Sequence, residues 1–387
     1  MMNRAILASK IFVGKANIES VEEHPGGNVN DTFVVGTKSG KKFILQRLNT
    51  KVFKNPELVI ANMCKLNIHA DELMKHIVLP DHRRWEIPRV LQTLESDQQE
   101  SRNYWIDEES GFWRAISFIE GATAHQKLID PKHGFEVGFG LGIFQSLISK
   151  LKVHDLHDTL PGFHVTPQYL ARFFDVLKDH QKDIVSSEEN YCVGFIKERA
   201  KWCSVLEDAA QRNILKIRPI HGDPKTGNIM LDNQTGRAVA LIDLDTVKPG
   251  LVHYDIGDCL RSSCNLGGEE PLSRSQVTFQ VSMAKEILKG YLSIASSFFS
   301  DDDYNYLYDA TRLISFELGL RFFTDYLENN VYFKVKHPRH NLERALVQFK
   351  LTESIEAQEL DLKKAIFEAK IHANRPNEFD SIKAHLI

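Results

Sequence analysis

One stretch of this 387-residue sequence concentrates groups suited to moving a phosphoryl group: Ile220-His221-Gly222-Asp223-Pro224-Lys225-Thr226-Gly227-Asn228. Phosphoryl transfer asks a protein for positioning and charge neutralisation more than for covalent chemistry. The Asp223 carboxylate can accept or orient the proton of an attacking hydroxyl. Asn228 can offer an amide oxygen to a magnesium ion. Lys225, two residues past the aspartate, can reach the phosphoryl group as it transfers. Farther on, Ile242-Asp243-Leu244-Asp245 supplies two more carboxylates.

These groups act together only if the backbone gathers them. Asn228 to Leu231 reads as a strand, Asp232-Asn-Gln-Thr-Gly236 as a turn, and Ala238 to Ile242 as a returning strand. Such a hairpin returns Asp243 to within a residue or two of Asn228, so two oxygen ligands converge beside Asp223. That suits Mg²⁺, which typically takes one or two carboxylates and completes its shell with phosphate and water. Asp243 is the expected main ligand. Asp245, two residues on and on the same face of an extended chain, is the candidate second. A lone H-x-D-x-x-x-x-N recurs by chance, and an Asp after a strand is often a turn or cap. The motif, the hairpin and I-D-x-D together have the spacing of a kinase catalytic loop and its metal-binding continuation.

Upstream, Pro25-Gly26-Gly27-Asn28-Val29-Asn30-Asp31-Thr32 is the candidate phosphate-covering loop. Gly27 permits close backbone approach, and Asn30 and Thr32 can donate to phosphate. The run Phe43-Ile44-Leu45-Gln46-Arg47 lies where kinases hold a phosphate-pairing lysine. Gln46 takes that position with Arg47 beside it; alternation admits one of them to a cleft, and register favours Gln46. Lys41 and Lys42 at the strand's start read as solvated. His154-Asp-Leu-His157-Asp158 lacks zinc-site spacing and reads as structural. Arg321-Phe-Phe-Thr-Asp325-Tyr326 and Tyr332 mix charge with aromatics near a helix end, a pattern more often of core packing.

The elements around these segments fall into two groups. Before Ile116 short β-rich runs dominate: Thr32 to Gly36 and Lys42 to Leu48 around a Thr37-Lys-Ser-Gly40 turn, then Arg89 to Leu94, Asn103 to Ile106 and Phe112 to Phe118. One helix interrupts them, opened by Asn55-Pro56 and spaced by Leu58, Val59, Met63, Leu66 and Leu73. Beyond Gly121 the periodicity predicts helices over 134–150, 166–183, 190–212, 273–296, 301–328 and 339–369, around a β-like island at 217–247. Ser300-Asp-Asp-Asp303 places acid where a helix N-terminus favours it. The expected fold is α+β and protein-kinase-like: a small β-rich nucleotide-binding lobe, 1–118, and a larger helical catalytic and substrate-binding lobe, 119–387.

Composition narrows the partners. A net charge of -4 argues against a polyanion-coating protein. No apolar run reaches the roughly 18 residues of a membrane span, and the first residues lack the apolar core and cleavage site of a secretory leader. The five cysteines form no C-x-x-C pair and read as reduced thiols of a cytoplasmic protein. Neither nucleic acid, membrane nor an obligate protein partner is indicated; the expected partner is a small-molecule substrate.

Through H-G-D-x-x-x-x-N and I-D-x-D the chain resembles the aminoglycoside phosphotransferase and choline kinase superfamily. Within it the sequence is similar to the N-acetylhexosamine 1-kinases over Gly27 to Phe33, Phe43 to Arg47, Asp155 to His164, Ile242 to Gly250, and Arg321 to Tyr326 through Val331-Tyr332-Phe333. The resemblance implies transfer of the γ-phosphate of ATP to the anomeric hydroxyl of an amino sugar, GlcNAc or GalNAc. It implies Asp223 as catalytic base, and Asn228 and Asp243 holding Mg²⁺. It suggests sugar contacts for Arg321 and Tyr332, and it matches Ile116 to Ile119, with Ser117, Phe118 and Ile119, to the hinge whose backbone reads adenine. Asn28 stands where the family often has His, a departure that bears on sugar preference. Two other readings stay open: a kinase of another alcohol or amine, such as an aminoglycoside or a choline-like compound, and a non-catalytic nucleotide-binding regulator.

Overall fold

The computed structural model describes residues 1–24, 29–79, 83–95, 100–180, 184–265, 267–268, 270–271, 273–376, 379–380 and 383. Helix α1 (Met2–Val13) leads into strands β1 (Ile18–Glu23), β2 (Asp31–Thr37) and β3 (Lys42–Leu48). Helix α2 (Pro56–Met74) follows, then β4 (Val90–Leu91), β5 (Trp105–Ile106) and β6 (Phe112–Ser117). The strands form one antiparallel sheet in the order β1-β2-β3-β6-β4, with β5 also on β6. Strand alternation sorts its side chains. Phe33, Val35, Phe43, Leu45, Trp113 and Ala115 are buried on one face under Ala5, Ala8 and Phe12 of α1. Thr32, Ile44, Gln46, Arg114 and Ile116 face the opposite way, into a cleft. The helix α1 has no counterpart among the expected elements. Its apolar stripe is short, and it covers a sheet face that would otherwise be exposed.

The helical part opens with β7 (Ala122–Ala124), α3 (Pro131–Ile148), α4 (Thr166–His180), α5 (Ser187–Arg199) and α6 (Val205–Gln211). Short strands β8 (Arg218–Ile220), β9 (Ile229–Asp232), β10 (Ala238–Leu241) and β11 (Lys248–Gly250) make up the β-like island. Then come α7 (Val252–Ser263), α8 (Val281–Ala295), α9 (Asp301–Asn305), α10 (Leu307–Leu327), α11 (His340–Ala357) and α12 (Glu359–Ala373). The Ser300 side chain and Asp303 form a reciprocal capping box at the start of α9. The stretch expected as one helix over 339–369 breaks at Gln358, whose amide donates to the Phe279 and Ser354 carbonyls. Helix α7 has no counterpart among the expected elements. Its polar Asp255, Asp258 and Arg261 are buried and interrupt the apolar period by which a helix is read.

Two close approaches fix this part. Helices α3 and α8 touch backbone to backbone: a Cβ on Gly138 would sit 1.9 Å from the Ile287 carbonyl oxygen, and one on Gly290 1.9 Å from that of Phe135. Helix α2 reaches both groups of elements. The Asn62 amide donates to the carbonyls of His157 (2.8 Å) and Val247 (2.9 Å) and accepts the His157 N–H (2.9 Å). Lys65 bonds the Asp155 carbonyl, and His69 Nε2 meets the Leu147 carbonyl at 3.0 Å. On the sheet side, Asn67 donates to the Pro88 carbonyl (2.9 Å), and Asp71 pairs with Arg89.

Candidate active site

The hairpin β9–β10 does what its sequence requires. Asp232 Oδ1 accepts the N–H groups of Gln234 and Thr235, and Gly236 takes the left-handed turn position at φ 68°. The ladder runs to a bond from Ile242 N–H to the Asn228 carbonyl, 2.8 Å, so Asp243 emerges beside Asn228. Asn228 Nδ2 donates to the Asp223 carbonyl at 2.7 Å, which leaves its Oδ1 for another partner. Lys225 Nζ lies 2.7 Å from Asp223 Oδ2. Burial would raise the Asp223 pKa, but the Lys225 ammonium overrides it and holds the carboxyl below its ordinary value. Asp223 is therefore ionised at neutral pH.

The loop that carries Asp223 is anchored from behind. His221 is buried, and burial pushes its pKa down to about 4. The neutral ring donates from Nε2 to the Ile242 carbonyl (3.0 Å) and accepts the Asp223 N–H at Nδ1 (3.2 Å), which fixes its tautomer. Asp255 of α7 accepts the N–H groups of His221 (2.8 Å) and Gly222 (2.7 Å) and the Gln145 amide (2.7 Å). Burial still raises its carboxyl to about 6, against those hydrogen bonds. Gly222 sits at φ 91°, and a Cβ there would meet the Thr246 carbonyl oxygen at 2.7 Å. Nothing near the motif announced Asp255, because it lies on a helix formed later in the chain.

Asp243 adopts the left-handed conformation, φ 67° and ψ 57°, and opens a 3₁₀ turn at Leu244–Thr246. Burial first, then the neighbouring Asp245, raise its carboxyl to about 6. The chain is therefore not extended past Asp243, and Asp245 does not share its orientation as strand alternation would require. Asp245 is engaged elsewhere: Oδ1 by the Arg114 guanidinium and Oδ2 by the Asn30 amide at 2.7 Å. Among the described residues no cluster of three or more His, Cys, Asp or Glu makes a closed cation cage. The free Asn228 oxygen and the Asp243 carboxylate fit an ion that takes its remaining ligands from phosphate and water.

Above these groups lies a cleft of ≈ 450 Å³. Asn30, Thr32, Gln46, Ser117, Phe118 and Ile119 line it with Asp223, Lys225, Asn228, Asp243 and Asp245. Gln46 Nε2 donates to Thr32 Oγ1 (3.1 Å), and its Oε1 receives Arg114 Nε (3.0 Å) and Nη2 (2.7 Å). Arg47, expected with Gln46 at the nucleotide, departs from that expectation. Alternation places it on the sheet's other face, 4.0 Å from Asp31. Gly27 and Asn28 lie outside the described residues. Arg114, two residues before the stretch matched to the hinge, was not foreseen.

Arg321 and Tyr332 stand outside this cleft's lining. The Arg321 guanidinium carbon is 5.1 Å from the ring centre of Phe163, 5.0 Å from Tyr169, 5.9 Å from Tyr332 and 5.5 Å from Phe333. Asp325 shapes the segment bearing two of these rings by accepting the N–H groups of Tyr332 (2.8 Å) and Phe333 (3.0 Å). A buried chain links Arg321 and its surrounding rings to the loop that carries Asp223. Arg321 lies 3.8 Å from Glu317 Oε1, which meets His164 Nδ1 at 3.0 Å, and His164 Nε2 meets the Gly222 carbonyl at 2.7 Å.

A sequence profile described as the phosphotransferase enzyme family (APH) matches residues 20–284. In fold the chain is similar to an aminoglycoside phosphotransferase from Alicyclobacillus acidocaldarius (TM-score 0.54, 14% identity, 95% of each chain covered). It is similar also to a choline kinase from Cryptosporidium parvum (TM-score 0.52, 15% identity, 94% of this chain and 95% of that one). The third is an ethanolamine kinase from Plasmodium vivax (TM-score 0.52, 14% identity, 87% and 84%). The α+β, kinase-like architecture expected from the sequence is the one observed.

Proposed function

Because the chain belongs to the phosphotransferase enzyme family, and so is a small-molecule phosphotransferase, we propose that it carries the γ-phosphoryl group of ATP to the anomeric hydroxyl of an N-acetylhexosamine, GlcNAc or GalNAc, giving the sugar 1-phosphate. The division into a nucleotide-holding lobe, 1–118, and a catalytic and acceptor-holding lobe, 119–387, belongs to the same proposal, with ATP in the cleft beneath the sheet. In this reading Asp223 orients the acceptor hydroxyl and takes its proton, while Lys225 faces the transferring group. Asn228 and Asp243 would hold Mg²⁺, which when bound neutralises charge on the phosphates. Ser117, Phe118 and Ile119 border the base.

The observation that carries the acceptor class is the Arg321 box. Choline-like acceptors need aromatic faces free to receive a cation. Here the rings of Phe163, Tyr169, Tyr332 and Phe333 already surround a cation of the protein's own. Such a box disfavours quaternary ammonium and polycationic aminoglycosides, and it favours a neutral acceptor whose hydroxyl or amide oxygens accept from a guanidinium. The test is to incubate the protein with ATP, Mg²⁺ and a panel of sugars, amino alcohols and aminoglycosides, following ADP release and product mass. A hexosamine 1-phosphate supports the proposal; phosphorylation only of choline or an aminoglycoside refutes the acceptor assignment.

A further inference from the structure

Where a phosphate-pairing lysine is expected on β3, the cleft receives Gln46, and a neutral amide cannot replace that charge. Of the strand's own cations, Arg47 is on the far face, Lys41 is exposed, and Lys42, exposed at the strand's start and outside the cleft's lining, stands over the Phe118 ring at 5.6 Å. A cation nonetheless stands in the same row. Thr32, Gln46 and Arg114 are successive cross-strand partners on β2, β3 and β6. Residues directly opposite in an antiparallel pair project from the same face, so β6 delivers Arg114 to the place β3 leaves uncharged. Among the described lining of the cleft, Arg114 is the one guanidinium or ammonium group that the sheet contributes.

The contacts around Arg114 look prepared for an anion. Gln46 Oε1 receives Nε and Nη2, and Gln46 is itself tied to Thr32, so the amide braces the guanidinium. Asp245 balances the charge from below. Nη1 meets the Met63 thioether at 3.1 Å, a weak acceptor that a phosphate oxygen would improve upon. With Nε and Nη2 taken by Gln46 and Asp245, Nη1 is the donor left for a phosphate oxygen.

We infer that Arg114 pairs with the phosphates of a nucleoside triphosphate in this cleft, taking over from across the sheet the part of the lysine that β3 lacks, with Gln46 as its positioning residue. The inference rests on the cleft being a nucleotide site.

The test measures binding of AMP-PNP with Mg²⁺, and separately of adenosine, to the full chain by calorimetry. Arg114→Met is expected to weaken AMP-PNP by ~10–100-fold, the range of a lost charge-assisted hydrogen bond, and to leave adenosine affinity within about twofold. The pair Gln46→Lys with Arg114→Gln returns the cation to β3 and is expected to recover at least about tenfold of that loss. This pair decides the matter if Arg114→Met does not fold. Equal weakening of adenosine and AMP-PNP, or unchanged AMP-PNP binding, overturns the inference while leaving the nucleotide cleft standing. Failure of the wild-type chain to bind either compound overturns the nucleotide reading itself.

Discussion

Asp255 accepts the backbone N–H of His221 at 2.8 Å, and with its other oxygen the N–H of Gly222 at 2.7 Å. The position of the loop that carries Asp223 is thus held by a carboxylate on a different element, fully buried behind it. Asp255→Asn keeps one acceptor and turns an amide N–H₂ toward a donor. The variant is expected to lose about 1.5–3 kcal/mol in urea denaturation and roughly 10²-fold in kcat through displacement of Asp223. Wild-type values for both would remove the anchoring role.

Within the proposed mechanism Asp223 is the group that takes the acceptor's proton. Asp223→Asn should cost ~10²–10⁴-fold in turnover and leave MgATP affinity within a few fold. The measurement is ADP release at saturating acceptor, with nucleotide binding followed separately. Near-normal turnover contradicts the assignment.

His164 meets an acceptor at each ring nitrogen, Glu317 Oε1 and the Gly222 carbonyl, an arrangement the imidazolium satisfies. Burial lowers its pKa, but Glu317 outweighs burial and the net shift is upward from 6.5. A histidine raised in the folded state contributes stability that is complete below its unfolded pKa of about 6.5 and is lost as pH climbs through the folded value. Wild-type stability should therefore fall from about pH 6.5 upward through the folded pKa above it. His164→Gln should flatten that fall in denaturation curves taken across the range. An identical slope in the variant would show that the ring is not charged.

Two glycines on helices should respond oppositely to alanine. At Gly138 the new Cβ would collide with the Ile287 carbonyl, so Gly138→Ala should destabilise by about 3 kcal/mol or more. At Gly194, in α5, nothing lies within 4 Å of the added carbon, and the better helix former should stabilise by up to about 1 kcal/mol. Thermal or urea unfolding of the two variants checks the signs.

Arg321→Ala should raise the apparent KM for the sugar by ~10-fold or more and leave the KM for ATP nearly unchanged, the range of a lost hydrogen bond to a charged donor. Steady-state kinetics with each substrate varied in turn separates the two. Equal effects on both would place Arg321 in the packing alone.

What could be read from the sequence was what is local in the chain. The hairpin joining Asn228 to Asp243 is short and carries its own turn chemistry, so its closure was legible in residue types. Gln46 and Arg47 were distinguishable by strand parity. Arg114, Asp255 and His164 were not singled out as parts of the site, because each reaches it through pairing or packing between segments far apart in sequence. Asp245 was misread for a related reason: a left-handed residue at Asp243 ended the alternation on which its orientation was inferred. The Arg321 and Tyr332 assignments came from family likeness; their residue types alone pointed to packing.

Helix α2 is bonded on one side to the segments at His157, Asp155, Val247 and Leu147 and on the other to Pro88 and Arg89. An opening motion that lifts the sheet must therefore choose. It carries α2 along and ruptures the contacts of Asn62, Lys65 and His69, or it leaves α2 seated and ruptures those of Asn67 and Asp71. The second route also parts the buried Met63 thioether from Arg114 of β6, so α2 ties the two groups of elements together whichever way the sheet moves. In protein kinases the placement of the helix next to the nucleotide switches activity; here α2 is bonded on both sides.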